Sequence, residues 1–131
     1  MANPNIVSVS TIYGGNYGWA LSNTLTATLL TVDAEKLLKI NRIVCANVDG
    51  SAAADLNLYV DGIGTAAANG LTPTGADTTV YLAKTISVPA DSSLVVSDTP
   101  IYLMEGDILK GGASAASDLD LFISYEVLDD A

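Results

Sequence analysis

Ala54-Asp55-Leu56-Asn57-Leu58-Tyr59-Val60-Asp61 decides the fold class. Apolar and polar residues alternate along it, the period of a half-buried β-strand, and no helical repeat fits. Leu56, Leu58 and Val60 are expected inside, with Asp55, Asn57, Tyr59 and Asp61 outside. The same period recurs over 79–88, with Val80, Leu82, Ile86 and Val88 on one side, and over 119–128, with Leu119, Leu121, Ile123, Tyr125 and Val127 inward. Between these, Leu37 to Val48 is the longest strand candidate. Its apolar run Ile43-Val44-Cys45-Ala46 predicts a central strand covered on both faces.

Working outward, Ile6 to Thr11 is a short β-branched run, and Gly14-Gly15-Asn16-Tyr17-Gly18 reads as loop. Thr24 to Val32 alternates Thr against Leu and Ala. Asp33-Ala34-Glu35 and Asn47-Val48-Asp49-Gly50-Ser51 are turns, and Ile63 to Asp77 is a long loop. Leu94-Val95-Val96, Ile101-Tyr102-Leu103 and Ile108-Leu109-Lys110 are short strands. Val32 to Lys39 is the single stretch with any helical character, and its apolar period lasts one turn. Eight or nine strands at roughly 8–14-residue spacing predict an all-β fold, a single antiparallel β-sandwich of jelly-roll-like form. The expected core is Leu38, Ile40, Val44, Leu56, Leu58, Val60, Leu82, Ile86, Leu121, Ile123 and Tyr125.

At 131 residues the chain is expected to form one domain, 1–131. Half the residues are hydrophobic and 15% are charged, which excludes a disordered chain. Mean hydropathy is +0.39. Much of the apolar share is alanine, so mild apolar surface is expected to meet protein neighbours rather than water. Fifteen acidic residues against five basic leave a net charge of −10. Such a polyanion has nothing to neutralise a phosphate backbone or an anionic membrane, so neither is an expected partner. No apolar run reaches spanning length, and the N-terminus carries no secretory pattern, which suggests synthesis in a cytoplasm.

Catalytic constellations do not emerge. Cys45 has no histidine to activate it and reads as a buried core thiol. The nearest carboxylate pairs, Glu105 with Asp107, Asp118 with Asp120, and Asp129 with Asp130, read as solvated turn or outward residues. Asp49-Gly50-Ser51 and Glu105-Gly106-Asp107 offer oxygen ligands without the spacing of a calcium loop. Zinc is excluded by one cysteine and no histidine. Gly62, Gly64, Gly70 and Gly75 lack the lysine and the strand–helix context of a phosphate cradle. No catalytic residue, cofactor or metal is expected.

The turn Val88-Pro89-Ala90-Asp91-Ser92-Ser93-Leu94, the strand and turn Pro100-Ile101-Tyr102-Leu103-Met104-Glu105-Gly106-Asp107, and the terminal Ser124-Tyr125-Glu126 follow one another in order. This succession resembles a group of small β-rich virion structural proteins of tailed bacteriophages. The resemblance runs from about Leu38 to Glu126 and is best between Ile86 and Glu126. It implies a non-enzymatic virion component made in the host cytoplasm. That component would be a capsid decoration or cement protein on the major capsid protein, or else a neck, tail or fibre accessory protein. Decoration proteins of this kind commonly occupy local threefold positions, which implies a homo-oligomer and favours a trimer.

Tyr13, Tyr17 and Trp19 cluster among Gly14, Gly15 and Gly18. Tyr and Trp are favoured at interface hot spots, so these three are the candidate interface residues, and they also suit stacking on a sugar. Residues 1–19 are accordingly a candidate docking arm. Two alternatives stay open: Trp19 caps the core, and the N-terminal strand completes the chain's own sheet.

Overall fold

The computed structural model describes residues 6–62, 74 and 77–129. Among them lie nine strands and no helix: β1 (Thr11–Ala20), β2 (Thr28–Thr31), β3 (Lys36–Asn47), β4 (Ala54–Asp61), β5 (Thr79–Val88), β6 (Ser93–Ser97), β7 (Ile101–Leu103), β8 (Ile108–Ala113) and β9 (Leu119–Asp129). Two antiparallel sheets form a β-sandwich. One runs β1-β9-β3-β6, with β7 also on β3; the other runs β2-β8-β4-β5.

The pairing is nested. β4 pairs with β5, β3 with β6 and β7, β2 with β8, and β1 with β9. The described chain is thus a long hairpin folded over, and β3–β9 and β4–β8 close it into two sheets. Ile40, Ile43, Cys45, Leu121 and Ile123 from one sheet meet Leu56, Leu58, Val60 and Leu109 from the other. Burying each leucine or isoleucine stabilises the fold by about 1.5–3 kcal/mol.

Turn chemistry agrees with the sequence. Gly106 has φ 86°, which glycine alone adopts at no steric cost. Asn47 is buried with both ends of its amide used: it donates to Ala52 O and Val88 O and accepts from Asp49 N–H. That knots the 47–51 turn to the end of β5.

Several expectations need correction. Gly14 to Gly18 are not loop; they lie within β1, in unbroken register with β9. The N-terminal strand starts at Thr11 rather than Ile6, and β2 occupies only Thr28–Thr31 of the expected 24–32. Tyr59 and Asn57, expected outside, are buried. Leu82 and Ile86, expected in the core, are exposed with Val80, while Ala83 and Val88 are buried. β5 breaks register twice against β4, and the first break sets Ala83 rather than Leu82 opposite Leu58. Val80 and Ile86 pair with the inward Val60 and Leu56 and are exposed because β5 is the edge of its sheet. At the bulge Thr85 takes φ 52°, held by its N–H donating to Asn57 Oδ1 at 3.2 Å. The second break returns Ile86 and Val88 to the inward phase, opposite Leu56 and Ala54. Val44 is half-buried on the outer face of its sheet, so the run at 43–46 is covered fully on one side only. The expected 63–77 loop falls mostly outside the described residues.

Candidate functional site: an aromatic groove at the open edge

Register alone places the three candidate aromatics. Leu121 and Ile123 face the core, and they pair with Trp19 and Tyr17; Tyr13 pairs with Val127. Residues opposite one another in a sheet share a face, so Tyr13, Tyr17 and Trp19 all point to the inner side. Tyr17 and Trp19 are brought together, their ring centroids 4.9 Å apart at 43°. Tyr13 lies farther along the same face, half exposed.

That inner side is only partly roofed. β2 is four residues long where β1 has ten, so among the described residues no strand lies above the end of the β1–β9–β3 surface. The result is a groove of about 330 Å³ with Tyr17, Trp19, Tyr125 and Val127 on one wall. Leu29 to Asp33 form the other, with Leu38 and Lys36 between. Tyr125 reaches the groove by lying across Gly15: a methyl there would sit 3.1 Å from its ring. Tyr125 was expected in the core, and the sequence offered no sign that Gly15 leaves it room. Lys36 is paired at the rim with Asp129 at 3.2 Å.

The far wall is fixed by the Glu105-Gly106-Asp107 turn. Val32 N–H donates to Asp107 O, and Gly106 N–H donates to Val32 O, each at 2.9 Å. Glu105 Oε2 accepts from Glu35 N–H at 2.8 Å, and Asp107 Oδ2 accepts from Met104 N–H at 2.8 Å. Both carboxylates are buried, not the solvated turn residues expected. Burial raises the Asp107 carboxyl above the ordinary carboxylate range, against the lowering effect of its bond from Met104. The sequence motif therefore acts as a clasp that sets the wall carrying Val32 and Asp33.

Asp61 accepts from Gly62 N–H, Thr79 Oγ1–H and Lys110 Nζ–H. Asp49 Oδ1 accepts from Ser51 N–H and Oγ–H within its own turn. Among the described residues no three His, Cys, Asp or Glu side chains converge on one point. Cys45 is fully buried, its thiol pushed up to about 11 by burial and by the charge of Asp120. A thiol held protonated in this way is a core residue rather than a nucleophile. The chemistry the groove offers is recognition: aromatic surface, a few hydroxyls and a paired charge at the lip. No protein-family model, curated protein or solved structure matches this chain.

Proposed function

We propose that this chain is a non-enzymatic structural protein of a bacteriophage virion. In this reading it is a capsid decoration protein, binding the assembled shell of major capsid protein through protein–protein contacts as a homo-oligomer. The observation that carries the reading is the unroofed groove with Tyr17, Trp19 and Tyr125 in its wall. Aromatic side chains left partly open at a sandwich edge are what a docking anchor requires. The strand order adds support. With β6 and β7 counted as one interrupted strand, the nested pairing supports reading the sandwich as a jelly roll, an architecture of viral shells and lectins. The acidity fits too, since a shell component in many copies must not adhere to nucleic acid.

The test is reconstitution. Shells and tails lacking this chain are mixed with the purified protein and imaged. Binding distributed over the shell is expected, and it should fall sharply in the Tyr17→Ala Trp19→Ala variant once its folding is checked by melting. Density confined to neck or tail would reassign the chain to an accessory role there. Absence of binding to any virion part would overturn the reading.

A carbohydrate-binding module on a tail or fibre is the second reading. It is favoured by the tilted Tyr17–Trp19 pair beside a cleft at the small end of the range for small-molecule sites. Sugar C–H faces stack on such rings while hydroxyls reach Asp33 and Lys36. Quenching or enhancement of Trp19 fluorescence by soluble glycans would select it.

A further inference from the structure

The described sheets end in four edges, and three are blunted. β2 has four residues and a register break. β5 breaks register twice and carries Lys84 and the positive-φ Thr85. β6 and β7 are five and three residues long, separated by a segment containing Asp98 and Pro100. Short length, bulges, charge and proline are the devices that stop an edge from pairing with another chain. β1 has none of them. Its ten residues, Thr11–Ala20, contain no Asp, Glu, Lys, Arg or Pro, and its register with β9 is unbroken.

We infer that β1 is the surface at which two copies of this chain pair, edge to edge and antiparallel, about a twofold axis through Asn16. The inference does not depend on the virion reading.

Hydrogen-bonding direction fixes which groups are available. Leu21 N–H donates to Leu119 O, in line with the β1–β9 register. In an antiparallel ladder bonded pairs alternate, so odd residues of β1 bond to β9 and even ones face the open side. Those are Ile12, Gly14, Asn16, Gly18 and Ala20, and among the described residues no strand pairs there.

Faces must match across the new pair, which restricts the register. Centred on Asn16, the even residues meet as Ile12 with Ala20, Gly14 with Gly18, and Asn16 with its own copy. Every outward backbone group of β1 then has a partner. Centring on Gly15 instead leaves Ala20 opposite Ser10, outside the strand. On the inner face the Asn16 register sets Tyr13 against Trp19 and Tyr17 against the Tyr125 ring that lies over Gly15. The half-exposed Tyr13 and Tyr17 are thereby covered, and Tyr13 of each copy reaches the mouth of the other's groove.

Charge selects a second copy as the occupant. At net −10 two copies repel, and like charges set opposite one another in a ladder destabilise it. An uncharged strand is where identical acidic chains can meet, and a basic partner would find nothing on it to pair with. The four tyrosines of such a pair contribute on the order of 100 Å² each, given aromatic surfaces of 150–250 Å². With the strand backbones the total reaches about 1,000 Å², the lower limit for a specific interface. A threefold ring would instead set β1 against a different edge of its neighbour, and each of those is blunted.

Sedimentation equilibrium of the full chain tests the inference. A concentration-dependent dimer is expected, with Asn16→Asp weakening self-association about tenfold or more while leaving the melting curve unchanged at concentrations where both chains are monomeric. Asn16→Cys should form an intermolecular disulfide on mild oxidation, since bonded antiparallel pairs have Cα atoms about 5.5 Å apart. A native chain that stays monomeric or forms a trimer overturns the inference. So does an Asn16→Asp dimer of undiminished strength, or an Asn16→Cys chain that does not crosslink.

Discussion

Replacing Gly111 with alanine is the sharpest test of how the two β8 glycines shape this sandwich. Gly111 sits in β8 opposite Leu58 of β4. A methyl there would lie 2.1 Å from Asn57 O and 3.0 Å from Leu58 Cα, where ordinary contact begins near 3.4 Å. The atoms met are backbone, so no side chain can swing aside. β8 would have to move about 1 Å from β4 along a ladder that spans Leu56 to Asp61, the floor of the core. Overpacking of this kind costs about 1–3 kcal/mol, and a clash with fixed backbone belongs at the upper end. The entropy removed from the unfolded chain offsets about 0.4–1 kcal/mol of that. A net loss of about 2 kcal/mol lowers the melting temperature by on the order of 5–10 °C for a domain this size. Gly14→Ala is the matched control, because its methyl meets nothing within 4 Å and the change should be neutral or slightly stabilising. Gly15→Ala should fall between, since only the Tyr125 ring must shift. Urea denaturation of the three variants decides it. Equal effects at Gly111 and Gly14, or a loss below about 0.5 kcal/mol at Gly111, would refute the close approach of β8 to β4.

Other expectations follow from burial. Leu58→Ala and Ile123→Ala each remove a fully buried side chain and should cost about 2–5 kcal/mol in denaturant titrations; losses near zero at both would place the core elsewhere. Cys45 should resist aromatic disulfide reagents near neutral pH and react fully once unfolded; reaction at the rate of a free thiol would contradict its burial. Asp107→Asn probes the clasp. The native carboxyl titrates above the unfolded value of 3.8, so its ionised form lowers stability at neutral pH, and that cost disappears as pH falls through the raised value. The native chain should therefore gain on Asp107→Asn with acidification, and a stability gap constant between neutral pH and about pH 4 would count against it.

What the sequence made legible depends on where each residue's determinants lie. β4 and β9 could be read because their alternation is a property of the strand itself. On β5 the same rule gave the face of Val80, Ile86 and Val88 but missed the break that replaces Leu82 by Ala83 and the exposure that an edge strand brings. Both depend on β4 and not on β5 itself. β1 looked like loop because Gly, Asn and Gly carry no strand preference. Its extended form is imposed by pairing with β9, and Tyr125 supplies over Gly15 the surface that glycine lacks. Glu105 and Asp107 were read as solvated because carboxylates on a turn usually are. Their burial rests on pairing with the Val32–Glu35 stretch, about seventy positions away, which no local pattern announces. Of the candidate interface residues, Tyr17 and Trp19 were visible as aromatics among glycines. Their groove partner Tyr125 was seen only as one more inward residue.

The groove itself is a consequence of unequal strand lengths in a nested hairpin. β1 must match β9, because the two pair over all of Thr11–Ala20, and β9 must also match β3. Nothing requires β2 to match them, since its partner is β8, of six residues. The segment that would have lengthened β2 is used otherwise. Ala113 N–H donates to Ser22 O and Gly111 N–H to Ala27 O, and Thr24 O lies 2.5 Å from where a Gly112 Cβ would be. Residues 22–27 therefore pack as a loop onto the glycine pair of β8 instead of extending over β1. A side chain at 112 would push that loop away. Its close seat leaves Tyr17, Trp19 and Tyr125 without a roof among the described residues. Tight packing at one end of β8 and open aromatic surface on β1 are thus two results of the same choice of residues.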